Sequence, residues 1–164
     1  MLKHADENKK EKKLMTLAFV RVGDKILLGR KKKAGFGYSK WNGLGGKVEP
    51  SEEIDAAMIR ETFEECGINV KKYCKIGTLH FHYINDPDME THVYRIDKYD
   101  GKEDHSLEME VKWFRDNSLP FSEMWPDDTF WMPYFLANNK FTGEFFFDEK
   151  YNIVKHKLSE LKSM

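Results

Sequence analysis

Residues 54–68, IDAAMIRETFEECGI, combine helical spacing of apolar side chains with a glycine stop, and so define a helix whose surroundings are heavily constrained. At about 100° per residue from Ile54, Ala57 lies near about 300° and Met58 near about 40°. Glu61 at about 340° and Glu65 at about 20° line up with them, and Glu64 at about 280° completes an acidic arc of roughly 100°. Ile59 and Phe63 give a second apolar surface, so the helix is expected to pack over most of its circumference, with its glutamates facing a partly enclosed space. The acids stand near the C-terminal end, where the helix dipole disfavours them. On a solvated face, like charges one turn apart cost only about 0.2–0.5 kcal/mol, and that ordinary reading suffices for a lone pair. In a cleft with an effective dielectric near about 20 and a separation of about 6 Å, the repulsion reaches roughly 3 kcal/mol per pair. A divalent cation would supply the counter-charge, and oxygen-only ligands suit Mg²⁺ or Mn²⁺. Glu61, Glu64 and Glu65 are the expected metal ligands, and Arg60, one turn before Glu64, is placed to orient its carboxylate.

The totals narrow the rest. A chain of 164 residues, 40% hydrophobic, suffices for one domain with a sizeable core, expected over 14–164. The first 13 residues, MLKHADENKKEKK, read as a mobile charged tail without the apolar core of a signal peptide. A net charge of −1 gives no global attraction to nucleic acid or membranes, so an anionic ligand needs local cations or metal ions. Cys66 and Cys74 make neither a disulfide framework nor a zinc site, which fits a reducing compartment. No apolar run approaches membrane-spanning length. The expectation is a cytoplasmic protein, with an organelle or nuclear fraction left open. Without an obvious interface stripe, a monomer is expected, with no stable nucleic-acid partner and no membrane partner.

Along the chain, LMTLAFVRV and KILLGR are β-rich runs joined by Gly23-Asp24, a hairpin signal. KKKAGFGYSKWNGLGGKV is glycine-rich, basic and aromatic, and reads as a loop leading into a strand. Pro50 and Ser51 mark a helix start and Gly67 its stop. Strands follow around KIGTLHFHYI, THVYRIDKY and EMEVKWFR, then a second helix in TFWMPYFLANN, whose start Pro133 obscures. KFTGEFFFDEKYNIVKHKL reads as a final hairpin. The pattern is α+β, a mixed or antiparallel sheet with two helices against it.

Residues 46–68, GKVEPSEEIDAAMIRETFEECGI, resemble the Nudix box G-x5-E-x7-R-E-U-x-E-E-x-G-U, where U is aliphatic. Gly46, Glu52, Arg60, Glu61, Glu64, Glu65, Gly67 and Ile68 fall in register, and Thr62 departs by standing at an aliphatic position. The resemblance implies an α/β/α sandwich with a mixed β-sheet between helices. It also implies Mg²⁺-dependent hydrolysis of a nucleoside diphosphate linked to another group. By the same resemblance the main-chain carbonyl of Gly45 joins the metal ligands, and Glu108, otherwise read as a surface acid, becomes a further one. Lys31, Lys32 and Lys33 read plainly as a solvated run, yet they precede the glycine-rich loop, where they could meet phosphates, Lys31 foremost. Lys31 and Arg60 are therefore counted with the glutamates in the catalytic set.

Two further stretches, GFGYSKWNGLGGKV and PFSEMWPDDTFWMPYFL, resemble the MutT-related branch of that family that clears oxidised purine nucleoside triphosphates such as 8-oxo-dGTP and 2-hydroxy-dATP. A purine needs flat apolar surfaces and polar groups along its edge. Trp125 is the expected stacking platform, worth roughly 1–3 kcal/mol. The resemblance brings Phe36, Phe81, Met89 and Trp131 to the pocket wall and adds Thr16, although Phe81 and Trp131 read equally well as core. Asn42 offers both a donor and an acceptor. Asp127 and Asp128 precede a helix, where capping is the plain expectation; in the family both face the base. Two carboxylates sharing an apolar pocket should not both ionise, which would let them meet either oxidised guanine or oxidised adenine. Tyr83 and Leu44 depart from aromatic residues usual in that branch, Tyr83 replacing a phenylalanine. The alternatives are a Nudix enzyme for another nucleoside diphosphate derivative and a non-catalytic nucleotide-binding module on the same fold.

Overall fold

Gly23 and Asp24 close the first hairpin, bringing Val22 opposite Lys25. The computed structural model describes residues 11–32, 39–106 and 108–162. β1 (Lys12–Val22) and β2 (Lys25–Lys31) are joined by β3 (Trp41–Asn42), β4 (Asn69–His82), β5 (Asp88–Asp100), β6 (Met109–Arg115), β7 (Phe141–Phe147) and β8 (Ile153–Glu160). β1 starts earlier than the sequence reading has it. Lys12 pairs with Asp88 and holds Glu90 at 3.0 Å, so Lys12 and Lys13 belong to the sheet and not to the tail. The remainder of the expected tail, through residue 10, lies outside the described residues.

The eight strands form one mixed sheet in the order β3-β2-β1-β5-β4-β7-β8, with β6 paired to β2. β1 with β5 and β4 with β7 run parallel; the other pairs are antiparallel. Side chains alternate across a strand, and β1 separates its two faces cleanly. Leu17 and Phe19 pack with Trp131 and Phe135 of helix α2 (Asp128–Leu136), while Ala18 and Val20 pack with Met58 of helix α1 (Ile54–Cys66). The result is the expected sandwich, a sheet between two helices.

Helix α1 begins at Ile54 with Glu53 at its N-cap, later than Pro50 and Ser51 indicate. Those two residues lie in a turn closed by the Glu52 N–H on the Glu49 carbonyl at 3.0 Å. Its buried stripe is Ala57, Met58, Thr62 and Cys66. The second apolar surface is only half used: Ile59 is partly buried, but Phe63 is 52% exposed. Thr62 hides its polarity within the helix, donating its hydroxyl to the Met58 carbonyl at 2.8 Å. Among the described residues no helix is long and apolar enough to cross a membrane. Cys66 is buried and Cys74 half-buried, both as free thiols.

Register, more than any helix, gathers the predicted site residues. The N-terminal ends of β1 and β5 and the C-terminal ends of β2, β4 and β7 meet at one end of the sheet, where Phe81 pairs with both Met89 and Phe145. Lys31, Asn42, Thr16, Met89 and Phe81 all stand at that end. The chain leaves α1 through Gly67, at φ 79, whose N–H closes on the Phe63 carbonyl at 2.8 Å. A Cβ there would meet no neighbour within 4 Å, so the cost of a side chain is conformational alone. Gly67→Ala should therefore destabilise the fold by about 1–2 kcal/mol, measured by denaturant unfolding, with little change in the slope.

Candidate active site

Residues 44–48 run antiparallel beside β1, filling the edge that β2 leaves when it turns to β3. Leu44 exchanges both main-chain hydrogen bonds with Ala18, the Thr16 N–H meets the Gly46 carbonyl at 2.9 Å, and the Val48 N–H meets the Leu14 carbonyl at 2.9 Å. This pairing sets Gly45 and Gly46 against the acidic edge of α1. Glu65 accepts the Gly45 N–H at 2.6 Å. A Cβ on Gly46 would stand 2.6 Å from the carboxyl carbon of Glu61, so the glutamate occupies the space a side chain would need.

Arg60 organises the other oxygens. Its Nε and Nη2 grip Glu52 in a fork at 2.7 and 2.9 Å, and Nη1 reaches Glu61 at 3.0 Å and Glu64 at 3.2 Å. Nη2 also donates to the Lys47 carbonyl at 3.2 Å, tying the helix to the glycine segment. Hydrogen bonding to Arg60 holds the Glu52 carboxyl down at about 2, well below the usual carboxylate range. Glu61 behaves oppositely, since burial outweighs Arg60 and raises it. Burial pushes Glu65 up to about 8, against the opposing Gly45 N–H, with Glu61 adding to the rise and Lys31 opposing it.

These carboxylates form a donor set for a hard cation. One guanidinium serves Glu52, Glu61 and Glu64, while Glu65 is left with unfavourable burial that a cation would relieve. As the side chains stand, they turn toward Arg60 and Gly45; among the described residues no three acidic, His or Cys groups converge on one point. The donor chemistry fits a divalent ion: Glu61 and Glu64 each give Arg60 a single oxygen and keep the other. Glu108 is exposed just before β6, its carbonyl accepting the Lys32 N–H at 2.9 Å, which brings its loop beside the end of β2. Lys31 is exposed at that same end.

On the other face, the start of α2 presents two buried acids. Asp127 accepts the Trp131 indole N–H at 2.9 Å, and Asp128 accepts the Trp125 peptide N–H at 3.0 Å. Neither side chain caps the helix, although Asp127 occupies the N-cap position. The expected cap is replaced by these two contacts. Burial raises both carboxyls, and Asp127 raises Asp128 further, so the pair holds a proton that two exposed aspartates would lose. Trp125 is half-buried, its backbone fastened to Asp128.

Two expected pocket residues stand differently. Trp131 is fully buried, stacked on Phe141 at 5.6 Å and tilted against Phe19, so it is core and reaches the acids only through its N–H. Thr16 points to the α1 face with Ala18, its hydroxyl 3.4 Å from Gly46, because alternation turns it away from Leu17 and the aromatic face. Phe36 lies outside the described residues, as does Lys33. Phe81 and Met89 are half-buried neighbours in the sheet, with Phe81 stacked on Phe145 at 5.9 Å. Asn42 is half-buried and accepts the Gly43 N–H at 2.9 Å. Phe147 and Tyr83 extend the aromatic surface beyond Phe81, stacked at 5.0 Å. The signal for them was in the alternation of FTGEFFF and HFHY, which puts Phe145 and Phe147 beside Phe81 and Tyr83.

A mixed sheet between two helices, with an arginine-gripped row of glutamates against a glycine turn, is the architecture of a Nudix protein. The NUDIX domain family matches residues 12–137, and the chain belongs to that family. It is 43% identical to the oxidized purine nucleoside triphosphate hydrolase of Danio rerio over 153 residues, covering 93% of this chain and 97% of that one. The enzyme of that name from Mus musculus is 38% identical over 152 residues, covering 92% and 97%. A MutT protein from Bacillus halodurans superposes with a TM-score of 0.78 at 22% identity, covering 89% of this chain and 97% of that one, a likeness of fold.

The acid pair gives a pH dependence of known sign. Carboxyls raised in the folded state bind more protons than the unfolded chain does above the ordinary range near about 4, so their contribution to stability declines as pH rises through that window. Asp128→Asn keeps an acceptor for the Trp125 N–H and removes one charge. The variant should gain stability relative to the parent between pH values of about 5 and 8, compared by urea unfolding at both.

Proposed function

We propose that the protein hydrolyses oxidised purine nucleoside triphosphates, 8-oxo-dGTP and 2-hydroxy-dATP among them, to the monophosphate and pyrophosphate. The observation that carries the reading is the buried Asp127–Asp128 pair beside an aromatic surface, on a chain that also presents the glutamate edge of α1. The names of its relatives from Danio rerio and Mus musculus support the same substrate class. In this reading the base stacks on Trp125, with Phe81 and Met89 beside it and Phe36 contributing from the glycine-rich loop. Asp127 and Asp128 read its edge. The member that carries the shared proton donates and its partner accepts, so exchanging the proton matches the different patterns of oxidised guanine and oxidised adenine. Asn42 tests a neighbouring exocyclic oxygen or ring nitrogen. Trp131 acts as a positioning residue through Asp127, and Thr16 stands nearer the phosphate end with Gly46.

At that end Lys31 meets the phosphate chain. Glu61, Glu64, Glu65 and the Gly45 carbonyl, with Glu108 from across the cleft, would hold Mg²⁺, for which Mn²⁺ can substitute. When bound, such ions neutralise phosphate oxygens and acidify water, which is the chemistry a stable anionic linkage requires. Arg60 keeps the glutamates in place and Glu52 fixes Arg60. In this reading the protein acts as a monomer in the cytoplasm, with an organelle or nuclear fraction left open.

Hydrolysis of 8-oxo-dGTP and dGTP should be compared with and without Mg²⁺. Faster turnover of the oxidised nucleotide, lost on chelation, is the expected result. Equal slow rates would indicate a Nudix enzyme for another substrate, and binding without turnover a non-catalytic module. Glu65→Gln should abolish turnover with the fold intact by circular dichroism; retained activity would remove the glutamate edge from the mechanism. Asp128→Asn should reorder 8-oxo-dGTP and 2-hydroxy-dATP, and an unaltered order would count against proton exchange.

A further inference from the structure

Beyond Phe81 the aromatic surface carries a polar group to which the reading above gives no task. Tyr83 lies two residues past Phe81 and so on the same face of β4 extended, its ring stacked on Phe147 at 5.0 Å and 11°. Tyr151 packs edge-on against it at 6.0 Å and fastens the rim by donating its own hydroxyl to Asp86 at 2.5 Å. The Tyr83 peptide N–H donates to the Asp88 carboxylate at 3.2 Å. Ring and backbone are therefore both held. Burial and then the negative charge of Asp127, with Asp86 and Asp88 behind it, push the phenol well above its usual range, so the hydroxyl keeps its proton. Among the described residues that hydroxyl has no hydrogen-bond partner, whereas Asp127 and Asp128 each hold a tryptophan N–H.

The Tyr83 ring packs on the aromatic cluster that holds Trp131, the partner of Asp127, and its neutral O–H, unused by the protein, is placed to serve a ligand. We propose that Tyr83 is a specificity-determining residue, donating a hydrogen bond to an oxygen on the purine edge next to the group that Asp127 reads. The inference rests on the functional reading above. Oxidised guanine and 2-hydroxyadenine carry their added oxygens at different corners of the ring. The acid pair can adapt to either by moving a proton, but a donor held by stacking cannot follow, so it ranks one purine above the other. Once a ligand covers such a donor, a purine that fails to meet it leaves it without water or partner, which is how the donor discriminates.

Tyr83→Phe removes the hydroxyl and keeps the ring. With both nucleotides assayed under Mg²⁺, the ratio of their kcat/KM values should shift by about three- to tenfold. The change should fall on KM with kcat preserved, since the contact is remote from the reacting phosphorus. Melting temperature should stay at the parent value, because the stacking is retained. Tyr151→Phe serves as the control for the rim and should leave the ratio unchanged. A constant ratio in active Tyr83→Phe enzyme, a proportional loss on both substrates, or an equal shift in Tyr151→Phe would each overturn the role of the hydroxyl and leave the functional reading standing. If the parent turned over neither nucleotide, that reading would fall and this inference with it.

Discussion

One guanidinium holds the acidic edge of α1 in a usable arrangement. Arg60 takes a fork from Glu52, touches Glu61 and Glu64, and reaches back to the Lys47 carbonyl. Charge-assisted bonds of this kind are short and directional, and a planar fork loses less freedom per bond than an ammonium would. Without that cation, the glutamates and the incoming turn at Glu52 would repel one another. The sequence expectation that Arg60 orients Glu64 thus covers a small part of its task. It is a hub that fixes where residues 44–48 meet the helix, and so where Gly45 and Gly46 sit beneath Glu65 and Glu61.

That meeting depends in turn on the sheet. β1 pairs with β2 only near their shared turn, then takes residues 44–48 as its neighbour, while β2 goes on to β3 and has β6 along its whole length. The opening between the two strands is what brings a glycine-rich segment to the α1 face with Lys31 and Asn42 near the same end. On the opposite face the aromatic residues of β4 and β7 continue to that end, under the start of α2. One strand register therefore serves both halves of the candidate site. A shift of one residue would exchange Thr16 with Leu17 and undo both at once.

Most of the architecture was legible where local chemistry decides it. Gly23-Asp24 makes a hairpin because the turn geometry demands such residues, and Gly67 ends α1 because little else tolerates its backbone conformation. The gathering of the glutamates along one edge of α1 was legible through their spacing. What escaped depends on contacts distant in sequence. Pro50 and Ser51 look like a helix start, but Glu52 is drawn to Arg60 and the helix starts later. Phe63 has the right period for a buried face, and the sheet offers nothing on that side to cover it. Trp131 matches a pocket pattern yet is surrounded by Phe19 and Phe141, and Asp127 is diverted from capping by that same indole. Thr16 is a matter of parity: which face a strand residue takes is set by its partners, here Gly46 and His92.

The two acidic groups resolve the same electrostatic problem differently. Burial raises Glu61 and Glu65 on one face and Asp127 and Asp128 on the other. Around the glutamates one guanidinium serves three carboxylates and Glu65 has only a peptide N–H, so negative charge is left over that a hard cation would neutralise. Around the aspartates the donors are two neutral tryptophan N–H groups within an aromatic core, where a metal ion would be poorly solvated. A shared proton is the smaller way to remove a charge there, and it leaves one carboxyl able to donate and one able to accept. Two pairs of raised acids in one small protein thus point to different partners, a hard cation on the α1 face and a base edge with mixed donors and acceptors on the α2 face. A nucleotide carrying both a phosphate chain and a purine satisfies the two requirements together, whereas a simple phosphate ester or a free base would satisfy only one.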